Sequence, residues 1–185
     1  QKNLNIICFN SIELIGNGFL LPSGPLREPF KNIQKAQIII INGKRNIAFE
    51  KKIKFQSKDI KLFYSKYKLK KINRFRNKKV LAFAGIGNPE SFFKLLKKSN
   101  IKVKDQISFP DHYSYTKNDI EYLISESKKR KLKLITTEKD NFRLKKLGYK
   151  NIDYITVDLE ILKYKNFERE MLKYLWKKLF ISYSL

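Results

Sequence analysis

Apolar residues in this chain come in short blocks separated by polar and basic stretches. Leu4-Asn5-Ile6-Ile7-Cys8-Phe9 predicts a buried strand over residues 3–9. Gln37-Ile38-Ile39-Ile40-Ile41-Asn42 is an unbroken apolar run with polar ends, the pattern of a central parallel strand buried on both faces. Between the two blocks, residues 10–35 show little periodicity and are punctuated by glycine and proline, which predicts a long loop. Residues 46–72 behave differently. Ile47, Phe49, Ile53 and Phe55 are interleaved with Lys and Glu; after Gln56-Ser57-Lys58-Asp59, alternation resumes with Ile60, Leu62 and Tyr64, then Tyr67 and Leu69. Read with period two, this stretch predicts a two-stranded antiparallel ribbon with one wet face, suited to connecting two lobes.

From residue 78 the pattern becomes strand, loop, helix, repeated. Lys79-Val80-Leu81-Ala82-Phe83-Ala84 predicts a strand, and Asn88-Pro89 a helix start with Asn as N-cap and Pro in the first turn. Ile101, Val103, Ile107 and Phe109 alternate toward one face. Thr116-Lys117-Asn118-Asp119 is a capping-box pattern that opens a helix running to about Arg130. Leu132–Ile135 and Tyr154–Val157 predict two more strands, with a second capping box at Thr137-Glu138-Lys139-Asp140 between them. A last helix over 166–180 carries Phe167, Met171, Tyr174, Leu175 and Leu179 on one stripe. Strands alternating with helices predict an α/β fold with largely parallel sheets. The expected division is three-part: 1–45, a ribbon connector over 46–75, and an α/β lobe over 76–185.

Composition supports a folded protein: 42% of the 185 residues are hydrophobic and 14% aromatic, which rules out a disordered polyelectrolyte. Charge adds more. The chain has 41 Lys and Arg against 17 Asp and Glu, a net charge of +24, and such a balance points to an anionic partner. Nucleic acid, phospholipid headgroups and a phosphorylated substrate all qualify. The abundance of Lys, Ile and Asn together is also what an AT-rich genome produces, so part of the excess has a compositional origin. Cys8 is the single cysteine, so no internal disulfide or zinc cluster can form, which fits a reducing compartment. No apolar run approaches the roughly 18 residues of a membrane span. The chain starts at Gln1, its single methionine is Met171, and it opens directly on an apolar strand; the expectation is a piece of a longer protein.

Four stretches carry candidate chemistry. In Gly16-Asn17-Gly18-Phe19-Leu20-Leu21-Pro22-Ser23-Gly24-Pro25-Leu26-Arg27-Glu28-Pro29, prolines and glycines fix a rigid path, and Arg27 and Glu28 sit between two prolines just after a strand. That is where α/β sheets bind ligands, although a turn with a solvated charge pair has the same pattern. Gly85-Ile86-Gly87 before Asn88 allows close backbone approach and a helix N-terminus that favours anions; a strand-to-helix turn needing positive φ would equally select glycine. His112, the only histidine, follows Asp111 in a polar, tyrosine-rich loop, and an imidazole can hold or pass a proton near neutral pH. Thr137 and Asp140 are explained by capping, which leaves Lys139 as a candidate ligand contact. Basic and aromatic residues interleave over Lys61–Lys68, the pattern of a nucleic-acid stacking face, but no RNA-binding signature accompanies it.

These stretches together resemble one family. The loop over 16–29 closely resembles the Gly-Asn-Gly…Leu-Pro-Ala/Ser-Gly-Pro-Leu-Arg-Glu-Pro signature of the tetraacyldisaccharide 4'-kinases. Ala82–Glu90 resembles that family's strand–glycine–helix turn, Phe109-Pro110-Asp111-His112 its Phe-Pro-Asp-His motif, and Thr137-Glu138-Lys139-Asp140 its Thr-Glu-Lys-Asp, all in the family's order. The resemblance implies a P-loop kinase-like parent fold, with residues 1–45 as the later part of a nucleotide-binding lobe. It implies transfer of the ATP γ-phosphate, with Mg²⁺, to a lipid-linked disaccharide in lipid A synthesis. The setting implied is the cytoplasmic face of a bacterial inner membrane, with an anionic membrane surface as partner and neither nucleic acid nor an obligate protein partner. It assigns proton handling to His112 with Asp111, substrate contacts to Asn17, Arg27 and Glu28, and cofactor contacts to Gly85, Gly87, Asn88 and Lys139; no metal ligand is assigned. The family's Walker A loop has no counterpart, since no Gly-x-x-x-x-Gly-Lys-Ser/Thr occurs in the 185 residues. That loop, the Asp-Asp-Gly segment, the base aspartate and a hydrophobic docking segment are expected upstream of Gln1, so the chain alone should be inactive. The alternative is a basic RNA-binding module without enzymatic activity.

Overall fold

A computed structural model describes residues 4–181, with side chains through Tyr174. The Leu175 and Leu179 side chains of the expected helix stripe lie outside the described residues. The chain forms two compact units, residues 1–67 with 159–185 and residues 68–158, whereas the sequence reading set its boundaries after 45 and 75.

In the first unit, β1 (Ile6–Asn10), β2 (Ile38–Asn42) and β3 (Lys61–Leu69) pair in parallel, and β3 is followed in the sheet by a strand near the C-terminus, Val157–Ile161. The isoleucines of β2 are buried and divide by parity, as strand geometry requires. Ile39 and Ile41 join Ile33, Phe49, Ile53 and Ile60 on one face. Ile38 and Ile40 join Phe63 and Phe167 on the other, with Ile161 and Met171 against them. The central-strand reading of 38–41 is thus what the structure contains. By contrast, the strand expected to be buried over 3–9, of which residue 3 lies outside the described residues, is an edge among the described strands: β1 alternates exposed and half-buried residues, and Cys8 is exposed.

The ribbon expected over 46–72 is not formed. Residues Ile47–Gln56 are a helix, α1, and β3 pairs in parallel with β2. Asn46 caps α1 by accepting the Phe49 N–H at 2.9 Å, and Phe49 and Ile53, one turn apart, are the buried side chains. Ile47 and Phe55, which supplied the apparent alternation, are exposed. The two points where the chain passes between units both fall within strands, β3 and Val157–Ile161, which are neighbours in the sheet.

The second unit is continuous in sequence. It contains β4 (Lys79–Ala84), α2 (Pro89–Lys98), β5 (Lys102–Ser108), α3 (Lys117–Lys129), β6 (Lys133–Thr137), α4 (Glu138–Lys146) and β7 (Asp153–Ile155); Val157–Ile161 is therefore β8, and the closing helix Tyr164–Ile181 is α5. The sheet order is β5-β4-β6-β7 and every pairing is parallel. β4 is the buried centre. Val80, Ala82 and Ala84 face a cluster built with Phe92, Phe93 and Leu96 of α2. Leu81 and Phe83 face one built with Ile120 and Leu123 of α3 and Leu144 of α4. The helix starts follow the sequence: Asn88 caps α2 with Pro89 in the first turn, and Thr116 and Asp119 form a complete capping box on α3. The chain leaves β4 toward β5 on one side and returns to β6 on the other. Such a reversal of strand order opens a crevice at the carboxyl ends of the strands, where α/β sheets place ligands.

Candidate functional site at the carboxyl ends of the second sheet

The crevice is occupied by a connected polar cluster. Its hub is Asp140, fully buried in the first turn of α4. The backbone pulls it into place: Thr137 ends β6 and caps α4, accepting the Asp140 N–H at 3.1 Å. The Thr137 hydroxyl in turn donates to Asp140 Oδ2 at 2.8 Å, and the Gly85 N–H, just past β4, donates to the same oxygen at 3.0 Å. Arg143, one helical turn on, donates from Nη1 to Asp140 Oδ1 at 3.1 Å and to the Gly85 carbonyl at 3.0 Å. A buried carboxylate with several donors and a paired guanidinium is stable where an isolated one would not be.

Arg143 extends the cluster to the third strand end. Its Nη2 lies 3.2 Å from His112 Nδ1, in the turn after β5. His112 has φ 58, a left-handed conformation that non-glycine residues adopt infrequently. The Asp111 carboxylate steadies this turn by accepting the His112 N–H at 2.9 Å, while His112 Nε2 is 3.8 Å from Asp111 Oδ2, too long for a hydrogen bond. The imidazole is largely exposed.

Aromatic rings form the floor. Phe83, Phe109, Tyr113 and Tyr115 pack ring on ring at 4.9–6.3 Å. The Tyr115 hydroxyl is buried and has no hydrogen-bond partner among the described residues. Burial, then the nearby Asp140 charge, then a loose approach to the Asp140 carboxylate short of hydrogen-bond geometry, push its phenol far above the ordinary range. Tyr113 donates to Asp119 Oδ2 at 3.1 Å, which raises the Tyr113 phenol; the Thr116 backbone N–H, its hydroxyl and then Tyr113 hold the Asp119 carboxyl below its usual value.

The sequence-predicted residues divide between the units. Gly85, Gly87, Asn88, Asp111 and His112 share the crevice edge. Neither Gly85 nor Gly87 has positive φ; what selects glycine is close approach. A Cβ on Gly85 would sit 2.9 Å from the Tyr115 hydroxyl, and one on Gly87 would sit 3.2 Å from Asp111 Oδ2. Asn88 accepts the Ser91 N–H at 3.0 Å as N-cap, and Lys139 is exposed, outside the hydrogen bonds of the cluster. Asn17, Arg27 and Glu28 lie in the first unit. Asn17 closes its loop, donating to the Ser23 carbonyl at 2.8 Å and accepting the Phe19 N–H at 3.1 Å. Arg27 and Glu28 are exposed; Glu28 accepts from Asn32 Nδ2 at 3.1 Å, and no ion pair joins the two among the described residues.

Sequence reasoning missed Arg143 and, having weighed a Lys139–Asp140 pair at a ligand, kept only Lys139 and left Asp140 as a cap. A local sign existed: an acid at the third helical position with arginine three residues later. Nothing in the sequence placed that pair beside Gly85 or His112.

Residues 1–176 match the family described as Tetraacyldisaccharide-1-P 4'-kinase. The chain is 37% identical over 176 residues to the tetraacyldisaccharide 4'-kinase of Pelagibacter ubique, covering 94% of this chain and 56% of that protein. It is 36% identical over 161 residues to the one from Rickettsia akari, covering 86% and 48% respectively. It thus spans about half the length of the relatives it matches. A solved structure described as the "apo" form of LpxK from Aquifex aeolicus in complex with ATP superposes with a TM-score of 0.60 at 22% identity, covering 94% of this chain and 53% of that one. At that identity the likeness shows the fold alone. None of these likenesses supports the RNA-binding alternative.

Proposed function

Because the chain belongs to the tetraacyldisaccharide-1-P 4'-kinase family, we propose that it is the part of a lipid A kinase that carries His112 to the reacting hydroxyl. The reaction is transfer of the ATP γ-phosphate to the 4'-hydroxyl of a lipid-linked disaccharide. Within the chain, the observation that supports this reading is the placement of His112 at the carboxyl ends of the second sheet, fixed by Asp111 and Arg143. Phosphoryl transfer needs the attacking hydroxyl positioned and its proton removed while cationic groups hold the phosphates. His112 with Asp111 serves the first need by orienting the group that takes the proton. Arg27 and Glu28, with Asn17 shaping their loop, are the substrate-side residues of the first unit.

ATP and Mg²⁺ belong to the proposal with different fits to these residues. Among the described residues no group of three or more His, Cys, Asp or Glu could hold a metal ion, so no Mg²⁺ ligand is assigned here. Gly85 and Gly87 are accounted for by packing against Tyr115 and Asp111. Asn88, at the start of α2, and the exposed Lys139 remain as nucleotide-side contacts. The +24 charge suits peripheral docking on an anionic leaflet, at the cytoplasmic face of an inner membrane. Among the described residues no helix is long and apolar enough to cross a membrane.

The test is transfer of labelled γ-phosphate from ATP to detergent-dispersed disaccharide by the purified protein that contains this chain. The expected result is transfer that His112→Ala slows through kcat by about 10²-fold, with KM for both substrates little changed. No transfer rejects the kinase reading. Transfer that His112→Ala leaves within about twofold rejects the role of His112.

A further inference from the structure

The contact between Arg143 and His112 fixes more than position. An arginine guanidinium only donates hydrogen bonds, so the atom it meets must accept. That atom is His112 Nδ1, at 3.2 Å. A neutral imidazole that accepts at Nδ1 carries its proton on Nε2. The guanidinium has little freedom to withdraw, since it is also bonded to the Gly85 carbonyl at 3.0 Å and to buried Asp140 at 3.1 Å. Asp140 is itself held by the Gly85 N–H and the Thr137 hydroxyl, so the anchor runs back to the ends of β4 and β6. On the other side of the ring, Nε2 has Asp111 Oδ2 at 3.8 Å, beyond hydrogen-bond reach, and the side chain is 72% exposed.

We infer that Arg143 is a positioning residue that holds His112 as the Nε2–H tautomer, so that His112 meets its substrate-side partner as a hydrogen-bond donor. The partner is an acceptor oxygen, of a hydroxyl, a carboxylate or a phosphate, and an occupied Nε2–H cannot take a proton from it. This deepens the kinase reading and rests on it for its catalytic meaning, but the ring tautomer can be read without any phosphate transfer.

His112 is the sole histidine, so its ring nitrogens are unambiguous in long-range ¹H–¹⁵N spectra of the labelled 185-residue chain. At pH about 8, above the ordinary imidazole range, the expected spectrum is that of one tautomer, with Nδ1 unprotonated and Nε2 protonated. In Arg143→Met both nitrogens should shift toward the averaged values of a free imidazole that samples both tautomers. Circular dichroism checks that the variant is folded. An averaged or reversed pattern in the unaltered chain overturns the inference, and that measurement needs no variant. A folded Arg143→Met chain with an unchanged pattern overturns it as well.

Discussion

Two buried polar groups a few ångströms apart have opposite energetic signs. Asp140 accepts from Gly85, Thr137 and Arg143, whereas the Tyr115 hydroxyl has no partner among the described residues. Removing a satisfied buried carboxylate strands its donors, so Asp140→Ala should cost roughly 3 kcal/mol. Removing an unsatisfied hydroxyl abolishes a desolvation penalty, so Tyr115→Phe should be neutral or should stabilise by up to about 2 kcal/mol. Urea midpoints of the two variants give the comparison, and a loss above about 1 kcal/mol in Tyr115→Phe would mean the hydroxyl makes a bond after all. At this scale the sequence was only half legible. His112 stood out as a lone imidazole in a polar turn. Arg143 did not, because its bond to the Gly85 carbonyl and the Gly85 bond to Asp140 link residues more than fifty positions apart.

Among the elements, those with local signals were read well. Asn88-Pro89, Thr116–Asp119 and Thr137–Asp140 each announce a helix start through bonds within four residues, and all three helices begin there. Helix α1 escaped because positions 49 and 53 are four apart, a spacing that satisfies both period two and the helical turn. Exposed Ile47 and Phe55 then tipped the reading toward a strand. The capping box of α3 also makes an acid-sensitive contribution. Asp119 is depressed from its ordinary value of 3.8 by the Thr116 N–H first, then the Thr116 hydroxyl, and also by Tyr113. A carboxyl lowered in the folded state stabilises above its unfolded pKa, and that stability is lost as pH falls through the folded value. Thermal melts should therefore show the unaltered chain losing stability more steeply below about pH 4 than Asp119→Asn does. Parallel curves would remove Asp119 from the acid response.

For the whole molecule, alternation of strands and helices made the α/β class and the parallel sheets legible. The division into units was not, because β8 and α5 return to a sheet begun more than a hundred residues earlier, and no periodicity marks such a return. The second unit is continuous, has a sheet of its own, and buries a cluster on each face of β4. Residues 68–158 by themselves should then give a single cooperative unfolding transition with retained helix and strand signal in circular dichroism. A chain that is collapsed but non-cooperative would show that this unit depends on the other.

The discontinuity of the first unit also sets an order of events on the ribosome. Ile38 and Ile40 of β2 are covered by Phe63, Ile161, Phe167 and Met171. Three of those four arrive only with β8 and α5. At about 5–20 residues per second, the stretch from Ile40 to Phe167 takes roughly 6–25 s to synthesise. Throughout that interval one face of a four-isoleucine run is in the nascent chain without most of its cover, and by its end the second unit, begun later, is complete. The unit made first is thus finished last. Its isoleucine strand is the segment a chaperone at the tunnel exit should hold.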